Sequence, residues 1–111
     1  MKVLDLADEL RRAKPISGEM AHRRLVEEST FVAGVVRFSP GGPPDPDQVT
    51  HQDKDVLCYV LSGTGRLRTD GRETPLRPGL LCHILAGTPH DFAATGEPLS
   101  LYYCLIRTRP A

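Results

Sequence analysis

Tryptophan is absent, and only three phenylalanines, three tyrosines and three cysteines occur among 111 residues. With so few large rings, the interior must be built mainly from aliphatic side chains. The cysteines, Cys58, Cys82 and Cys104, are odd in number and widely spaced. This argues against a disulfide framework and against a Cys-rich zinc site, and points to free thiols in a reducing cytoplasm. An excess of either charge is missing too, with 14 Lys plus Arg against 14 Asp plus Glu. There is therefore no basic footprint for nucleic acid, and a near-neutral surface gives weak protection against self-association. No apolar run approaches the ~18 residues of a membrane helix. Acids within residues 1–10 interrupt the stretch that a signal peptide keeps apolar. Neither a phosphate loop, a dinucleotide fingerprint nor a Ser-His-Asp arrangement is found.

What is present is one domain's length, with 40% hydrophobic and 25% charged residues, a globular balance. Residues 3 to 13 put Val3, Leu6 and Leu10 on one helical face, with charged residues off it, and Pro15 ends that segment. A short N-terminal helix and arm over residues 1–15 is predicted. Beyond it the pattern becomes that of strands. His22 to Glu28 is polar and reads as an edge strand, and Thr30 to Phe38 is β-branched and aromatic with one Gly. Residues 39 to 47 carry four prolines and can only be a loop. Gln48 to Asp55 reads as a polar strand. Val56 to Leu61 is apolar throughout, as in a strand covered on both faces. Gly65 to Thr69 and Glu73 to Leu76 flank Asp70-Gly71, a hairpin turn signal. Leu80 to Leu85, Asp91 to Ala94 and Leu99 to Arg107 bring the total to roughly eight short strands, the number expected of a sandwich or barrel. Val56 to Leu61 and a second apolar strand, Leu99 to Ile106, with zero net charge, point to a homodimer.

Two segments narrow the fold. Residues 56 to 71 read Val-Leu-Cys-Tyr-Val-Leu-Ser-Gly-Thr-Gly-Arg-Leu-Arg-Thr-Asp-Gly, a strand end followed by a glycine turn. Residues 75 to 92 read Pro-Leu-Arg-Pro-Gly-Leu-Leu-Cys-His-Ile-Leu-Ala-Gly-Thr-Pro-His-Asp-Phe. Together and in this order they resemble the two motifs of the cupin superfamily, over about residues 30 to 106. Gly79, Gly87 and His90 fall at the second motif's spacing, while Leu85 and Ala94 depart from it. The resemblance implies an all-β fold, a single cupin jelly-roll β-barrel behind the N-terminal helix.

It also implies a metal site, since family members bind one divalent metal through His-x-His, a Glu and a final His. This chain departs from that set. If His51 takes the second His position, Val49 replaces the first and Asp55 the Glu. The span from Asp55 to Gly63 is then one residue too long, which a β-bulge would absorb. Alternatively His51 is the first ligand and Asp53 the second. Residues two apart share a strand face, so His51, Asp53 and Asp55 are all expected to look inward, towards His90. Two imidazoles and one carboxylate suit Fe, Mn, Ni or Zn and leave positions open for a substrate. Tyr59, His83 and Tyr102 are the candidate substrate contacts, although Tyr102 and Tyr103 must face opposite ways. Two functions follow. One is a metal-dependent enzyme of dioxygenase, isomerase or polyketide-cyclase type, acting on a small molecule. The other is a metal-free binding or sensing module with the same barrel.

Overall fold

A computed structural model describes residues 1–16, 20–41 and 48–108. Most of the loop expected over residues 39 to 47 lies outside the described residues. Helix α1, Leu6–Arg11, begins where Asp5 Oδ1 accepts hydrogen bonds from the Ala7 and Asp8 amides at 3.0 and 3.2 Å. Those bonds satisfy amides that a helix start leaves open. The cap fixes the beginning of α1 at Leu6, so Val3 stays outside the helix and is exposed.

The strands are β1 (Lys14–Pro15), β2 (Met20–Glu27), β3 (Phe31–Phe38), β4 (Lys54–Ser62), β5 (Gly65–Thr69), β6 (Arg72–Leu76), β7 (Leu81–Ile84), β8 (His90–Ala94) and β9 (Leu99–Arg107). They form a six-stranded sheet in the order β1-β2-β3-β9-β4-β7 and a three-stranded sheet in the order β6-β5-β8. Every pairing is antiparallel. The fold is thus an all-β jelly roll with a short helix at its N-terminus. The β5–β6 hairpin turns at Asp70 and Gly71, both at positive φ (49° and 74°), the backbone that a two-residue turn of this hand requires.

Cross-strand register fixes which side chains look inward. Val60 lies opposite Leu101, and Leu101 opposite Val36; Val56 lies opposite Leu105 and Ile84. These rows, joined by Cys58, Leu67, Leu76 and Leu99, are the core between the two sheets. Leu99, Leu101 and Val60 are fully buried, each worth about 1.5–3 kcal/mol of transfer free energy. The extra residue of β4 is taken up by a register irregularity between Val60 and Ser62.

The outer face of the large sheet is covered over half its width. Helix α1 lies on β2 and β3, where buried Glu9 pairs with Arg23 and the Leu10 carbonyl accepts from Arg37 at 3.2 Å. Ala21, Ala33 and Val35 are buried beneath it, apart from the core cluster. The other half, on β4, β7 and β9, has no such cover within the described residues. The expectation that Val56 to Leu61 is buried on both faces is therefore corrected. Val56, Cys58 and Val60 are buried, but Tyr59 between them is 42% exposed.

Candidate functional site

The stretch before β4 is not the strand expected over residues 48 to 55. It pairs with β8 through one bridge, in which Val49 and His90 exchange backbone hydrogen bonds of 2.9 and 2.9 Å. The Gly87 amide donates to the His51 carbonyl at 2.7 Å. These contacts seat His51 beside His90, with ring centroids 5.6 Å apart and planes inclined by 35°. His90 is only 5% exposed and presents an edge to Phe92 at 6.3 Å. Its Nδ1 lies 2.9 Å from the Thr88 carbonyl. A carbonyl only accepts, so Nδ1 carries a proton, and in the neutral ring Nε2 presents a lone pair. The pKa of His51 is held below its ordinary value by burial first, then by the charge of His90 and of Lys54, with Asp53 opposing them.

The carboxylates expected beside this pair go elsewhere. Asp55 alternates with buried Val56 and so belongs to the outer side of β4. There its Oδ2 lies 2.9 Å from His83 Nε2, and its Oδ1 accepts from the Ala86 amide at 2.9 Å. The His83 hydrogen bond, then the Ala86 amide, hold the Asp55 carboxyl below its ordinary pKa. The expectation that His51, Asp53 and Asp55 share an inward face is thereby corrected. Alternation holds only within a strand, and the chain bends at Gln52 and Asp53 before β4 begins at Lys54. Asp53 is exposed; its backbone carbonyl accepts from the Thr108 amide and hydroxyl at 3.0 and 3.2 Å.

The donor set follows from these placements. His51 and His90 come together, but among the described residues no three His, Cys, Asp or Glu side chains converge on one point. Two imidazoles fall short of the three protein donors that hold a catalytic divalent metal. The described residues therefore do not complete the expected centre.

The substrate-contact candidates lie on the other face from the histidine pair. Tyr59 lies opposite Tyr102, and Leu57 opposite His83. All belong to the outer side of the sheet. The tyrosine that looks inward is Tyr103, opposite buried Cys58. Its side chain crosses Gly34 of β3, where a Cβ would come within 2.6 Å of the Tyr103 hydroxyl and of the Arg23 carbonyl. The hydroxyl thereby reaches His22 on β2, to which it is hydrogen-bonded, with ring centroids 5.4 Å apart and stacked. Burial pushes the Tyr103 hydroxyl above its ordinary pKa, and the charge of Arg24 opposes this. His22 and Arg24 carried no assignment in the sequence because its pattern gives strand parity but not which strands are neighbours. The single Gly in a strand of β-branched and aromatic character was the visible signal. The three thiols are free, and burial with neighbouring Cys82 pushes Cys58 up to about 12, so it is no nucleophile. No helix is long and apolar enough, among the described residues, to cross a membrane.

Comparison with known proteins supports the same architecture. The family described as "Cupin domain" matches residues 34–105. No curated protein sequence matches the chain. Among solved structures, TT1209 from Thermus thermophilus superposes with a TM-score of 0.78 at 23% identity, covering 99% of this chain and 100% of that one. KdgF from a Halomonas species gives 0.72 at 21% identity and covers 86% of each chain. A Cupin 2 conserved barrel domain protein from Leptotrichia buccalis gives 0.71 at 23% identity, over 88% of this chain and 46% of that one. At such identities the likeness shows the fold.

Proposed function

We propose, from the premise that this chain belongs to the cupin-domain family, that it binds a small organic molecule at the His51–His90 pair. The observation that carries this reading is the pair itself. Two rings from separate segments are brought to 5.6 Å by backbone bonds on both sides, and one of them is buried. With Nδ1 of His90 committed to Thr88, its Nε2 accepts a hydrogen bond in the neutral ring. His51, whichever nitrogen carries its proton, offers one donor and one acceptor. A hydroxyl or acid group is matched by such a set, and Phe92 beside His90 supplies an apolar wall.

The test is ligand-observed NMR of the full chain against a panel of small alcohols, sugars and organic acids. Binders are expected in the parent, and their affinity is expected to fall in a folded His51→Ala, His90→Ala variant. Binders of undiminished affinity in that variant would overturn the reading.

A second reading, metal-dependent catalysis, is favoured by one observation. A ring that donates Nδ1–H to a backbone carbonyl is oriented as metal-bound histidines usually are. It requires a third donor beyond the two imidazoles. Elemental analysis of protein purified without a histidine tag decides between them. Near-stoichiometric Fe, Mn, Ni or Zn that disappears in the double variant supports the metal reading. We also propose that a second copy covers the outer face of β4, β7 and β9, where Tyr59, Leu81 and Ile106 are exposed.

A further inference from the structure

The inward face continues past the core at the end of the barrel where β4 begins. Lys54 is the cross-strand partner of Arg107, and alternation puts both on the side of Val56 and Leu105. The Thr108 amide donates to the Asp53 carbonyl at 3.0 Å, which holds the ends of β4 and β9 together at this point. His51 enters from just before Lys54 and feels its charge.

Neither cation forms an ion pair with a carboxylate among the described residues. The Nε of Arg107 is buried without any hydrogen-bond partner there. Like charges directly opposite each other on neighbouring strands repel, and a buried guanidinium N–H with no acceptor carries an uncompensated loss of hydration. Both features oppose folding, and one external acceptor relieves both. Of the two carboxylates that flank Lys54, Asp55 is held by His83 and the Ala86 amide, and Asp53 is exposed and makes no ion pair among the described residues.

We propose that Lys54 and Arg107 form an oxyanion-binding subsite at the mouth of the barrel, which takes the carboxylate or phosphate of a ligand whose remainder reaches His51 and His90. This rests on the reading of the histidine pair as the ligand-contacting site, and it names the class of that ligand: a small organic acid or phosphate ester. Arg107 supplies Nε–H and Nη–H, a planar fork that matches two oxygens of one anion, and Lys54 supplies a point charge across the strand pair. The anion neutralises the facing cations and gives the buried Nε its acceptor.

The experiment titrates the full chain with inorganic phosphate and, separately, with malonate, at constant ionic strength, following backbone amide shifts by NMR. Saturable shifts are expected at Asp53 to Asp55 and at Arg107 and Thr108. Folded Arg107→Gln should bind about tenfold more weakly or not at all, the loss of one charge-assisted fork. Lys54→Gln should bind more weakly than the parent, and Arg107→Lys should lie between parent and Arg107→Gln. Malonate bound more tightly than phosphate identifies a carboxylate ligand, and the reverse a phosphate. Thermal melting adds a second readout: phosphate or malonate should raise the melting temperature of the parent and not that of Arg107→Gln. The His51→Ala, His90→Ala variant should still bind the bare anion, so the subsite and the histidine reading fail separately. No saturable shift in the parent overturns the proposal, as does parent-like affinity in both Arg107→Gln and Lys54→Gln.

Discussion

Gly34→Ala should be destabilising although it adds one methyl group to a strand. A Cβ built at this position meets the Arg23 carbonyl and the Tyr103 hydroxyl, each at 2.6 Å, and Tyr103 Cζ at 2.8 Å. Ordinary carbon contacts need about 3.5–4.0 Å, so something must move by around an ångström. The Arg23 carbonyl is held by the β2–β3 pairing, in which Arg23 lies opposite Val35 and Arg24 opposite Gly34. The Tyr103 ring is the freer partner, but lifting it breaks its bond to His22. Overpacking of this kind costs about 1–3 kcal/mol, and the lost hydrogen bond adds about 0.5–1.5 kcal/mol. Replacing Gly within a strand returns about 0.5–1 kcal/mol. The net is a loss of about 0.5–4 kcal/mol, read as a lower urea midpoint at unchanged slope. A double-mutant cycle separates the two obstructions. In a Tyr103→Ala background the ring is gone, so the penalty of Gly34→Ala should shrink by about 1 kcal/mol or more while the Arg23 share persists. Gly34→Ala as stable as the parent, or additive with Tyr103→Ala, would refute the placement of Tyr103 across β3.

Leu101→Ala, which removes a fully buried side chain from the middle of the core, should cost about 2–5 kcal/mol by urea denaturation; a loss below that range would mean a looser core. His22 and His51 have pKa values lowered from 6.5, mainly by burial. Their folded forms bind protons less readily than the unfolded chain, so stability is whole above about pH 6.5 and declines as pH falls below it. Urea midpoints at neutral and mildly acidic pH should show this decline, and His22→Asn should flatten it; a midpoint that rises on acidification would contradict the burial of these rings. Asp55→Asn should weaken the His83 contact on the outer face and leave ligand binding at His51 and His90 unchanged; reduced binding would return Asp55 to the site. Light scattering should give a dimer mass that falls to that of a monomer in Leu81→Lys, since Leu81 is exposed on the edge strand β7; a monomeric parent would remove the interface.

Much of the barrel was legible because its signals are local. The Asp70-Gly71 turn, the strand over Leu99 to Arg107 and the helix before Pro15 each follow from residues adjacent in sequence. A register irregularity lies beside Leu61, within the span where the alternative with Asp55 at the motif's Glu position required a bulge. The candidate site was half legible. His90 stood at a motif position and His51 close to one, and the two meet. Asp55 was assigned a face by extending strand alternation back through residues that bend, and its true partner, His83, is far along the chain. Tyr103 could be told from Tyr102 only through its pairing with Cys58, a long-range register. Lys54 and Arg107 were invisible as a pair for the same reason: their meaning lies in being opposite one another.

The most direct measurement is an NMR titration of the histidine Cε1–H resonances of metal-free protein with a small organic acid that binds it. Four histidines are present, and they occupy three distinct places: the mouth pair, the bond to Tyr103, and the outer face. The His51 and His90 signals should shift together along one saturation curve while that of His83 stays still. Movement of His83 with the mouth pair unmoved would contradict a ligand site inside the barrel.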